Sequence, residues 1–229
     1  MASGFIFAFK LYIENDDHSS LHWVEHAVKK LTDSDIIHVE MIPVLGGYYT
    51  AWEGKDGSVR MDVSSLLFTS HTAHTAVAGS GYKTRKAKEC FEDSSFQHIF
   101  VPMPVEKVVE GISFLEDQEG KWYNYLALPL TVIQHDYKLR SIDKLESCLS
   151  SSKVFCSQMG LVLCYLSNTI DPHENEGSVF LDPLFCTPAE LYYLIRQSKC
   201  KAMQCTPSQI LVMDEGPADS PVDSWGPRA

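Results

Sequence analysis

Ile36-Ile37-His38-Val39-Glu40-Met41-Ile42-Pro43-Val44-Leu45-Gly46-Gly47-Tyr48-Tyr49-Thr50-Ala51-Trp52-Glu53-Gly54-Lys55-Asp56-Gly57-Ser58-Val59-Arg60-Met61-Asp62-Val63 is the stretch that decides the fold class. Runs rich in β-branched and aromatic residues suit strands, and they are punctuated by glycine pairs that suit tight turns. Strands at Ile36 to Leu45, Tyr48 to Glu53 and Val59 to Val63 therefore predict an antiparallel meander. Upstream, Gly4 to Tyr12 reads as another strand, and Leu21, Val24, Ala27, Val28 and Leu31 recur at helical spacing behind Ser19 or Ser20 as N-cap.

Downstream, residues 70–95 lack apolar periodicity and read as a long loop with some irregular helix. Phe96 to Val101 predicts a strand, Val105 to Leu115 a helix stopped by Gly120, and Trp122 to Leu128 a short helical segment halted by Pro129. Cys156 to Leu166 is apolar enough to be a buried helix. Thr187-Pro188-Ala189-Glu190 is a capping box with proline at the first helical position. A helix, a meander and then helices indicate an α+β fold. One domain is expected over residues 1–212, followed by a disordered acidic tail over 213–229.

Composition narrows the function. The chain has 229 residues, is 45% hydrophobic and carries a formal charge of −11 with a pI near 5.2. That balance argues against a nucleic-acid binder, which needs a basic surface, and against a polybasic membrane anchor. No uninterrupted apolar run is long enough to span a bilayer, so an integral membrane protein is not expected. Phe5 to Ile13 is broken by Lys10 and lacks the flanks of a signal peptide. The 7 cysteines contain no C-x-x-C pair and read as free thiols in a reducing compartment, with cytoplasmic location expected.

Two positions carry candidate chemistry. If the hairpin turns on Gly46-Gly47, Glu40 faces Glu53, and Glu53 becomes the diagonal neighbour of His38 on the same sheet face. Glu53, or alternatively Glu40, is then placed to accept from the imidazole and fix its tautomer. Cys156 stands where a serine run gives way to a helix, and unpaired N–H groups in a first helical turn stabilise a thiolate and a developing oxyanion. A thiolate well below pH 8 is therefore expected of Cys156. Cys186 also precedes a helix, but Thr187 is the N-cap there, so Cys186 is expected to pack on Leu191.

The motif order resembles that of the circularly permuted papain-like cysteine hydrolases. This branch of the NlpC-type superfamily includes YiiX-type bacterial proteins, lecithin-retinol acyltransferase-like enzymes and a poxvirus member. Ile37-His38-Val39 is similar to the strand of the base histidine, and Thr50-Ala51-Trp52-Glu53 to the next strand with its polar orienting residue. Gly120-Lys121-Trp122-Tyr123-Asn124-Tyr125 resembles the Gly-x-x-Tyr-Asp-aromatic segment, with Asn124 for Asp. Val154-Phe155-Cys156-Ser157-Gln158 resembles the hydrophobic-Cys-Ser-Glu segment, with Gln158 for Glu.

The resemblance implies Cys156 as nucleophile, His38 as general base and then acid, and Glu53 as the group orienting His38. It implies a substrate cleft lined by Trp52, Tyr123 and Tyr125, and no cofactor or metal. The implied reaction is acyl transfer from a peptide or other amide to the thiol, then hydrolysis. A thiol acyltransferase or lipid-amide or ester hydrolase would use the same residues on a lipid-acyl substrate, and a non-catalytic binding module on the same fold is the reading from another class. His71-Thr72-Ala73-His74 and the Asp171, His173, Glu174 and Glu176 cluster read as a loop pair and a solvated acidic loop rather than as metal sites.

Overall fold

The structure, a computed structural model, describes residues 4–13, 20–44, 50–53, 59–62, 72–91, 93, 96–105, 107–125, 151–170, 182–197 and 210–211. Its elements are β1 (Gly4–Leu11), α1 (Ser20–Thr32), β2 (Ile36–Val44), β3 (Thr50–Glu53), β4 (Val59–Asp62), β5 (Thr72–Val77), β6 (Gly81–Lys86), α2 (Ala87–Phe91) and β7 (Gln97–Pro104). After these come α3 (Val108–Asp117), β8 (Trp122–Tyr123), β9 (Lys153–Val154), α4 (Cys156–Leu166), α5 (Pro188–Gln197) and β10 (Ile210–Leu211). The class is α+β.

A five-stranded sheet ordered β6-β5-β2-β1-β7 organises the rest, and its strand pairs are antiparallel. Phe5, Ile6, Phe7, Ala8 and Phe9 of β1 have no solvent exposure, which explains why that strand is a continuous apolar run instead of an alternating one. β7 carries Pro102 and Pro104 and lies at the sheet edge, where a missing N–H breaks no ladder bond. Helix α4 is buried over Cys156 to Tyr165 and packs with α3, α5 and β2. A side chain at Gly160 would run into Leu191, so the missing Cβ lets α4 approach α5 closely.

Two expectations are corrected here. β3 pairs with β4 and lies in a separate sheet ordered β10-β4-β3, while β2 pairs with β1 and β5. The meander, and the hairpin register that made Glu53 the diagonal neighbour of His38, do not form. Register follows from which strands bury a shared face, and β1 offers β2 a far more apolar partner. The expected loop over 70–95 instead holds β5, β6 and α2. Its Thr, Ala, His and Lys residues give little alternation, so its structure comes from pairing beside β2 and from the turn between β5 and β6.

Gly81 is required in that turn. Its φ is +69° and a Cβ would collide with the Lys121 carbonyl, which accepts the Tyr82 N–H at 2.7 Å. This bond docks β6 on the chain leading into β8. Trp122-Tyr123 is a short strand rather than the expected helix, parallel to β9, with Asn124 N–H bonded to the Val154 carbonyl at 2.9 Å. Residues 126–128 of that expectation, the tail over 213–229, and the Asp171, His173, Glu174 and Glu176 cluster lie outside the described residues, as does His71. No described helix is long and apolar enough to cross a membrane.

Candidate active site

Cys156 is the first residue of α4, as its sequence context predicts, and Phe155 is the N-cap. Gln158 at the third helical position accepts the Phe155 N–H at 3.3 Å. The parallel pairing of β8 with β9 carries Tyr123 to the residues just before Cys156, so two segments distant in sequence meet at the start of α4. The Cys156 thiol also reaches β2. Val39 and Met41 of that strand share the core with Cys156, whereas the His38 ring points to the other face of the sheet, toward Thr75, Lys10 and Glu40.

Cys156 is only 2% exposed, and burial decides its acidity. Removal from water pushes the thiol up to about 11 despite the N–H groups of Val39, Ser157 and Cys156 itself, which favour the thiolate. The expectation of an acidic thiolate is therefore corrected. The helix N-terminus acts in the predicted direction, but desolvation is the larger effect.

His38 Nε2 lies 2.7 Å from Thr75 Oγ1 on the adjacent strand β5. Burial first, then the charge of Lys10, push the His38 imidazole down to about 3, and Glu40 only partly opposes them. Glu40 is 1% exposed and fully occupied: Lys10 Nζ lies 2.8 Å from Oε1, and Arg85 donates to both oxygens at 2.8 Å. Arg85 also reaches Asp93 at 3.2 Å. This buried ion cluster had no signal in the sequence, because Lys10 and Glu40 each interrupt an apolar strand singly.

The crevice at Cys156 is walled by Val28 and Thr32 of α1, Ile37, Tyr123, Phe155, Ser157, Cys186, Thr187 and Pro188. Its free space is about 10 Å³, close to what one water needs. Of the residues expected to line a cleft, Tyr123 does so. Tyr125 packs edge-on against Tyr123 with ring centroids 5.1 Å apart and is partly exposed. The side chains of Trp52 and Glu53 lie outside the described residues. Cys186 and Leu191 both belong to the main core, and Thr187 and Glu190 form the expected capping box, with Glu190 N–H donating to Thr187 Oγ1 at 3.2 Å. His74, read as a loop residue, is buried in β5 and stacks on Tyr82 at 6.3 Å. Cys90, Cys156, Cys164 and Cys186 are free thiols. Among the described residues, no three metal-ligating side chains gather.

No protein-family model, curated protein or solved structure matches this chain.

Two histidines withdrawn from water, His74 buried and His38 half-buried, make stability depend on pH. His38 and His74 are lowered from 6.5 to about 3 and about 4. As pH falls below 6.5, the unfolded chain takes up protons that the folded chain does not, so stability falls. Each histidine contributes a slope of about 1.4 kcal/mol per pH unit until its folded pKa is passed. Urea unfolding should therefore show a loss of several kcal/mol between about pH 6.5 and about pH 4.5. The loss should shrink in His38→Gln, and a flat profile would contradict the burial of these rings.

Proposed function

We propose that the chain is a cysteine-dependent hydrolase that cleaves an amide bond through a thioacyl intermediate on Cys156, with His38 as general base, on a permuted papain-like fold. One observation carries this reading: Cys156 opens α4 and shares its crevice with Ile37, the residue before His38, so a helix N-terminus meets the strand that carries the histidine. The four matching motifs support it.

The resting pair is a neutral thiol and a neutral imidazole, since burial raises one pKa and lowers the other. Proton transfer then accompanies attack instead of preceding it. As sulfur bonds to the carbonyl carbon, His38, whose ring must turn from its Thr75 contact toward the thiol, takes the thiol proton, and the oxyanion is held by N–H groups at the start of α4. The C–N bond breaks with that proton delivered to the departing amine. Water, deprotonated by His38, then attacks the thioester, releasing the acid and restoring the thiol. Substrate entry requires Val28 and Thr32 to separate from Thr187 and Pro188, because the crevice holds about one water.

A second reading, a thiol acyltransferase or lipid-amide or ester hydrolase, is favoured by the apolar walls Val28, Ile37, Phe155 and Pro188. Both are tested with a panel of peptide anilides and of short- and long-chain nitrophenyl esters, quenched in acid and mapped by mass. An acyl adduct on Cys156, released by hydroxylamine, is expected. Preference for long chains selects the second reading. Adducts on Cys164 or Cys186 instead, or no turnover of any member, would overturn both and leave the binding module.

A further inference from the structure

We infer that α1 is a lid over Cys156: it closes the crevice in the resting chain and swings off it, about Asp33 and Ser34, to admit what reacts with the thiol. That the reactant is an acyl substrate rests on the function proposed above; the lid does not. The starting point is the crevice itself, with about 10 Å³ of free space around a thiol only 2% exposed. One water fills such a space, so any larger reactant needs a wall to move.

The walls other than α1 are fixed. Ile37 belongs to β2, the central strand of the five-stranded sheet. α4 is buried from Cys156 to Tyr165. Tyr123 is held in β8, where the N–H groups of Trp122 and Asn124 donate to the carbonyls of Ser152 and Val154 at 3.2 and 2.9 Å. The Cys186 carbonyl accepts the Ser157 hydroxyl at 2.7 Å, and Thr187 is bound into the capping box of α5. Moving any of these breaks buried hydrogen bonds or opens the main core, and both are costly.

α1 is held differently. Among its described side chains, from Glu25 to Thr32, Val28 alone is buried. Val28 and Ile37 form a small cluster, bordered by Tyr12 and Phe96, separate from the core cluster that holds Cys156. The other ties lie at the surface. Lys29 Nζ is 2.8 Å from Asp35 Oδ1, with both side chains exposed, and 4.7 Å above the Tyr12 ring, which His26 meets edge-on at 6.2 Å. Contacts of this kind are weak. The helix ends at Asp33, whose φ is +49°, and the chain is anchored again at Asp35, whose carbonyl accepts the Tyr12 N–H at 2.8 Å. Asp33 and Ser34 are therefore the pivot. An element with few buried apolar contacts opens at a lower free energy than the whole fold.

Modification of the whole chain by methyl methanethiosulfonate at about pH 8, mapped by mass along a urea series, measures opening at each cysteine. Cys164, unexposed within α4, reports global unfolding. Cys156 should react with a much smaller urea slope than Cys164, because lifting a lid exposes little surface. Tyr12→Ala, outside the crevice wall, should raise the Cys156 rate without urea about threefold or more. Val28→Ala should raise it about tenfold or more. If a variant unfolds within the series, its Cys156 and Cys164 rates without urea still separate local from global opening. Equal slopes at the two cysteines would overturn the lid, as would a Cys156 that reacts as fast as an exposed thiol in wild type. So would unchanged rates in both variants. A rise in Val28→Ala alone would mean a wider crevice and no moving helix, and would also overturn it. Lid-gated labelling with no acyl adduct on Cys156 from any anilide or ester would instead refute the hydrolase reading and leave the lid standing.

Discussion

Replacing Cys156 with Ala is expected to lower kcat/KM on the best amide or ester of the panel by at least about 10³-fold, because the nucleophile and the acyl intermediate are lost together. The melting temperature should move by only a few degrees, since the change removes one sulfur from the end of a helix. Cys186→Ala, in the same crevice, should keep activity within about twofold. The thiol itself should be sluggish: iodoacetamide labelling of Cys156 should be slow near pH 6 and climb toward the thiol pKa of about 11. His38→Ala should abolish turnover yet leave that slow labelling nearly unchanged, because the neutral imidazole contributes no charge to the resting thiol. Fast labelling at pH 6 that disappears in His38→Ala would instead mean a preformed ion pair, and the neutral resting state would be wrong.

Replacing Glu40 with Ala should destabilise the fold by about 3–5 kcal/mol in urea unfolding, since it leaves Lys10 and Arg85 in the sheet without their shared counter-charge. That is a large share of the stability of an ordinary domain, about 5–15 kcal/mol. The exposed Glu89→Gln, on α2, should change stability by less than about 0.5 kcal/mol. Burial raises the Glu40 pKa, but Lys10, His38 and Arg85 more than offset it and hold the carboxyl at about 2. Its contribution is therefore complete above the ordinary value of 4.5 and is lost as pH falls toward about 2. A loss smaller than about 1 kcal/mol in Glu40→Ala would show that Lys10 and Arg85 find water or other partners.

Most of the helices were legible because their signals are local. Cys156–Leu166 and Pro188–Gln197 follow from an apolar run and from a capping box. α1 and α3 follow from apolar spacing and a glycine stop. Strand existence was nearly as legible at β1, β2 and β7, where β-branched and aromatic residues concentrate. Strand partnership was not. A glycine pair between two apolar runs suggests a hairpin, yet β2 pairs with β1 and β5, separated from it by the whole of α1 on one side and of β3 and β4 on the other.

The site divides along the same line. Sequence by itself determined that Cys156 opens a helix, that Thr187 caps another, and that His38 lies on a strand, because each depends on a few neighbouring residues and the backbone groups they satisfy. Tertiary structure alone decided that Cys156 shares a core with Val39 and Met41, that Thr75 meets His38, and that Lys10, Glu40, Arg85 and Asp93 share one ion cluster. It also decided the acidity of the thiol. Helix position is written locally, whereas desolvation depends on everything packed around the sulfur, and at Cys156 the packing outweighs the helix end.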